Sequence, residues 1–145
     1  MKHMAGLTRW LRWILWASCA VGCGHRATNF ERFVPAASLA RTALEAALSD
    51  WQQGHGPGEI STGSSAVQVV DTHRRAEQRL ESFEILGEVG GDAGRCFAVR
   101  LTLANPDEVQ KARFIVVGIS PLWVVREEDF TMLTHWEHPM TDEAK

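Results

Sequence analysis

The chain has 145 residues, 45% apolar and 23% charged, which suits one globular domain and excludes a low-complexity chain. Its formal charge of −3 conceals an asymmetry, because Lys2, Arg9 and Arg12 are the only charged residues in 1–22. Without them 12 basic residues face 18 acidic ones, a balance that argues against a nucleic-acid partner, since non-specific binding to nucleic acid needs basic surface.

The three basic residues precede an uncharged run, Trp13 to Gly24, of 12 residues. A bilayer-spanning helix needs about 20 residues. A short apolar run behind basic residues and ahead of small ones has the order of an export signal. It ends in Ala20-Val21-Gly22-Cys23. This tetrapeptide resembles the lipobox of bacterial lipoproteins, with Ala20 where that family most often carries Leu. The resemblance implies that residues 1–22 are a cleaved signal peptide and that the Cys23 sulfur carries a diacylglycerol. The membrane is then a partner through the anchor, with an envelope protein as the possible second partner. Gly24, standing where an Asp often marks inner-membrane retention, points to the outer membrane, facing the periplasm. Ordinary secretion, an uncleaved anchor and a buried N-terminal helix are the competing readings. Cys19 leaves with the signal and Cys23 takes lipid, so Cys96 has no cysteine to pair with inside the mature chain.

Residues 23–34 read as a lipidated tether and 35–145 as a single α+β domain. A helix is expected from about Pro35 to Gln52, with Pro35 in the first turn and Gly54 at the stop. Ala40, Ala43, Leu44, Ala47, Leu48 and Trp51 recur at helical spacing as its buried stripe. Residues 53–65, rich in glycine, read as a flexible loop.

From Ala66 the apolar period changes to two. Strands are expected from Val67 to about His73, through Phe83, Ile85, Gly87 and Val89, and through Phe97, Val99, Leu101 and Leu103. Two more are expected over 114–119 and 122–126. Turns fall at 90–94, 105–107 and 120–121. The pattern predicts an N-terminal helix packed on a four- to five-stranded antiparallel sheet. That element order is similar to cystatin-like and NTF2-like folds, an analogy of order alone.

The chemistry is sparse. Asp129 is read as capping a short C-terminal helix that ends before Pro139. His135 and His138 would share one face of it, with Asp129 or Glu128 as a third ligand for zinc. An isolated H-x-x-H is a weak motif, and the expectation is no metal and no cofactor. In the preferred reading Phe130, Leu133 and Trp136 dock on the domain. Trp123, His135, Trp136 and His138 are the expected binding residues. Residues 114–140, with Val117-Gly118-Ile119-Ser120-Pro121-Leu122-Trp123 and His135-Trp136-Glu137-His138-Pro139-Met140, resemble a segment of small exported planctomycete proteins that carry no assigned activity. Cys96 with His73 and Asp71 would make a nucleophile set, but a free cysteine on a strand is more often a small apolar filler. Arg74, Arg75 and Arg79 read as a solvated connection, with a grip on an anion as the alternative. The expectation is a membrane-anchored envelope lipoprotein with a non-catalytic binding or interaction domain. The alternative is a metal-assisted hydrolase centred on His135 and His138.

Overall fold

The computed structural model describes residues 30–62, 65–91 and 93–135. The signal, Cys23, Trp136 and His138 lie outside the described residues, as does the side chain of His135. A short 3-10 turn, Glu31–Phe33, leads by way of Pro35 into helix α1, Ala37–Gln52. Six strands follow: β1 Glu59–Thr62, β2 Ser65–Val70, β3 Arg79–Val89, β4 Arg95–Ala104, β5 Glu108–Gly118 and β6 Leu122–Arg126. Helix α2, Glu127–His135, comes directly after β6. The architecture is α+β: one long helix on a curled six-stranded sheet of order β1-β2-β6-β5-β4-β3.

Two expectations about the sheet are corrected. It has six strands, because β1 lies inside the stretch read as a loop. Glu59–Thr62 is too short for its alternation to stand out, and its place comes from pairing with β2, Thr62 opposite Ser65. The sheet is also mixed, because β6 returns beside β2 and runs parallel to it, Val67 opposite Leu122 and Val70 opposite Val125. Alternation of side chains is the same in parallel and antiparallel strands, so the sequence pattern cannot report this pairing. β2 also stops at Val70 rather than near His73, and α1 starts two residues after Pro35.

All six apolar stripe residues of α1 are buried. They form one cluster with Val67, Val69, Leu80, Phe97, Val99, Leu101, Leu103, Phe114, Val116, Leu122 and Val124, and Phe83 and Ile85 pack against it. Three alanines in the stripe bring the helix backbone close to the sheet, while Leu44, Leu48 and Trp51 fill the space between. The register of β3 on β4 shifts between Leu80 and Ser82 and again between Ile85 and Gly87. Such bulges bend a strand and increase its twist, which suits a sheet curled over a helix. Gly87, at φ 150°, occupies the second bulge in a conformation that L side chains rarely adopt. At the N-terminal end of α1, Arg95 Nε donates to the carbonyl of Pro35 at 3.0 Å and so fixes the entry of the chain.

The other face of the sheet has a smaller second layer. Cys96, Ile115 and Val125 lie in one register row, alternate with the core residues, and are buried. Helix α2 packs on β5 and β6 over this row. Beyond its cover Trp123 stays 42% exposed, and Met132 and Leu133 on α2 are exposed as well. Phe130 is half-buried; Leu133 does not dock.

Candidate functional site

The polar centre of the molecule lies where β2 and β6 end side by side. Their parallel pairing closes at Val70 and Val125, so the next residues, Asp71 and Arg126, are neighbours. Both are about 2% exposed. Arg126 Nη1 lies 3.5 Å from Asp71 Oδ1, and Arg74 Nε donates to Asp71 Oδ2 at 3.1 Å. The backbone N–H of His73 donates to Asp71 Oδ1 at 3.2 Å, a local turn that curls the chain back over the carboxylate. Arg126 also donates through Nε to Glu128 Oε2 at 3.3 Å, at the solvent edge.

Arg74 overturns the expectation of a solvated connection. Its side chain is 5% exposed, and its guanidinium carbon stands 4.3 Å from the centre of the Trp51 ring. A planar guanidinium over an aromatic face gains electrostatically from the ring quadrupole and keeps its edge for hydrogen bonds. Burial pushes the Arg74 pKa down and the charge of Asp71 holds it up, so the two are one unit. Its Nη2 atom is buried and has no hydrogen-bond partner.

Asp129 sits one step outside this pair. It lies within the first turn of α2, which begins at Glu127, so it is not the cap residue expected from the sequence. Its carboxylate is buried and accepts from the backbone N–H of Thr72 at 2.9 Å and from the Thr72 hydroxyl. His73 Nδ1 lies 3.7 Å from the same carboxylate. Asp129 thus ties the β2–β3 connection to α2, and three acids at the start of α2 suit the positive end of the helix dipole.

Asp71, His73 and Asp129 bring ligand-type atoms within 4.8 Å of one another, the kind of grouping that can hold a cation. The donors are already taken. Asp71 is neutralised by two guanidiniums, and Asp129 is turned toward Thr72. A divalent ion would have to enter beside two positive charges and displace them, so the set is chemically suited to closing the fold and not to metal. Asp129 is also lost as a third ligand for His135, because its carboxylate faces Thr72. Cys96 is on the opposite face of the sheet, under α2. Burial, with the nearby Glu127 charge, raises its thiol pKa, the reverse of what an activated nucleophile needs. His73 and Asp71 do meet, but with Asp129 and without Cys96.

Beside the ion network runs a groove of about 980 Å³. Its walls are residues 51–57 at the end of α1 and residues 74–81, the β2–β3 connection and the start of β3, with Ala104 and Asn105 also in the lining. Gln52 Nε2 donates to the carbonyl of Glu81 at 2.6 Å and holds the walls in register. His55 bonds Asp50 Oδ1 through Nδ1 at 2.7 Å on the rim. Arg74 belongs to both features, reaching Asp71 on one side and lining the groove on the other. No motif in the sequence pointed to this groove; the only hint was the run of arginines at 74–79.

No protein-family model, curated protein or solved structure matches the chain. Among the described residues no helix is long and apolar enough to cross a membrane.

Proposed function

We propose that the protein is a lipid-anchored component of the bacterial envelope whose domain binds a ligand or partner and carries out no reaction of its own. The N-terminal order of basic residues, apolar run and Ala20-Val21-Gly22-Cys23 supports the anchor, with the outer membrane facing the periplasm as its place. The similarity of the C-terminal segment to small exported planctomycete proteins agrees with an exported chain. The helix-then-sheet order is that of cystatin-like and NTF2-like folds, an analogy that bears on architecture and not on activity.

The observation that carries the binding reading is the groove, set against the ion network behind it. The buried charges neutralise one another and offer no free nucleophile or base. The groove beside them is lined by Arg74, whose Nη2 has no hydrogen-bond partner among the described residues, and by the exposed Arg75 and Arg79. Trp123, exposed in mid-sheet, marks a second surface for a partner; His135, Trp136 and His138, the other binding residues read from the sequence, follow in the chain at and beyond the end of α2. In the metal-hydrolase alternative Glu128 would stand as the third ligand, since the Asp129 carboxylate is bonded to Thr72.

Mass spectrometry of the mature N-terminus tests the anchor: a diacylated Cys23 is expected, and an intact Met1 or a free Cys23 thiol would sink it. Pull-down of the lipidated protein from its native envelope tests the binding role, and an empty pull-down with the groove and Trp123 intact would count against it. Thermal melting with and without chelator tests the alternative. A large chelator-dependent drop, abolished in a His135→Ala, His138→Ala double variant, would restore the hydrolase.

A further inference from the structure

Two side chains lining the groove are more than nine-tenths buried and leave polar atoms without a partner among the described residues. Arg74 is one: Nε is bonded to Asp71, its face lies on Trp51, and Nη2 has no acceptor. Gln78 is the other, 8% exposed, with its backbone N–H bonded to the carbonyl of Arg75 and its carboxamide making no hydrogen bond to the described residues. Buried polar groups are nearly always paired, so the orphaned Nη2 of Arg74 sets this wall apart, with the Gln78 carboxamide beside it. Arg75 and Arg79 are exposed on the same wall and make no ion pair among the described residues. The lining holds these three arginines against two glutamates, Glu77 and Glu81. Arg74 and Gln78 therefore define the anionic end, and the glutamates exclude a ligand that is negative throughout.

We propose that this groove binds a small organic anion, one carboxylate or phosphate group of which accepts hydrogen bonds from the Gln78 carboxamide beside the buried Arg74 guanidinium, with Arg75 and Arg79 drawing it in from the rim. Guanidinium is the side chain best suited to oxyanions, and charge-assisted bonds of this kind are shorter and stronger than neutral ones. The groove's volume falls within the range of small-molecule sites. This assignment rests on the binding-domain reading and names the ligand class.

Titration calorimetry on the full chain in detergent tests it, with inorganic phosphate, glucuronate and uncharged methyl glucoside as probes. Binding of phosphate, of glucuronate or of both is expected, and weaker binding at higher salt. Which of the two binds identifies the anionic group. Arg75→Gln with Arg79→Gln should weaken binding at least about tenfold, the loss of roughly 1.4 kcal/mol. Gln78→Leu should abolish it while the protein still melts cooperatively; these variants keep the test valid even if Arg74→Ala does not fold. Methyl glucoside binding as tightly as glucuronate would overturn the anion assignment and leave the binding-domain reading standing. Wild-type affinity in the double arginine variant would overturn it too. Heat from none of the three probes would overturn the assignment, and the envelope pull-down then judges the binding-domain reading separately.

Discussion

Replacing Asp71 by Asn should destabilise the fold more than any other single change in the polar centre. The carboxylate is buried and serves two buried guanidiniums, at 3.1 Å from Arg74 Nε and 3.5 Å from Arg126 Nη1. Breaking a buried ion pair by removing one partner costs about 3–5 kcal/mol, because the other charge is left uncompensated. Here one deletion strands two like charges that already oppose each other, so the loss belongs at the upper end, about 5 kcal/mol. That approaches the whole stability of a small domain. Arg126→Met is a different perturbation. It leaves Asp71 paired one-to-one with Arg74 and fills the site with an apolar side chain, so about 1–3 kcal/mol is expected. Adding Arg126→Met to Asp71→Asn should recover stability, since the cation left facing Arg74 is gone. Urea unfolding of the three variants and the wild type, compared at equal m-values, measures all four free energies. The reasoning fails if Asp71→Asn costs less than about 1 kcal/mol, or if Arg126→Met costs more than Asp71→Asn.

Leu48→Ala should cost about 2–5 kcal/mol in the same assay, as Leu48 is fully buried between α1 and the sheet; a loss under 1 kcal/mol would mean that the helix does not close the core. Gly118→Ala should cost about 1–3 kcal/mol, because Gly118 sits at φ 97° and a Cβ there would stand 2.8 Å from the Pro121 carbonyl oxygen; a neutral substitution would refute the tightness of the β5–β6 turn. Trp123→Ala should cost about 1–2 kcal/mol, since the residue is 42% exposed and the rest is covered; the reading of Trp123 as a contact surface requires that partner capture drop while the protein still melts cooperatively. Cys96 should resist a thiol reagent at pH 8 in the native protein and react on unfolding. Its folded pKa is raised above the unfolded value, so its contribution is full below about pH 8.5 and is lost as pH climbs through the folded pKa. Cys96→Ala should flatten that alkaline fall, and an unchanged pH profile would show that the thiol is not its source.

The local rules carried α1 and most of the sheet. Six residues at helical spacing sufficed to orient α1, and alternation at 83–89 and 97–103 located β3 and β4, because burial on one face writes a period into the sequence wherever an element is long enough. The proposal of an exported lipoprotein also rests on sequence alone, since residues 1–29 lie outside the described structure. What only the tertiary structure decided is the company these elements keep. β6 lies beside β2 across more than 50 intervening residues, and nothing local specifies that pairing or its parallel sense. The ion network follows from it. By sequence Asp71 falls inside a strand running to about His73 and Arg126 closes the strand at 122–126, and each is buried because the other is there. Asp129 is likewise taken from its own helix by Thr72, and the groove arises between two loops that meet only when α1 packs on the sheet. Periodicity records which face of an element is buried. It does not record which charge waits on the other side of the contact, because that depends on residues far away in the chain.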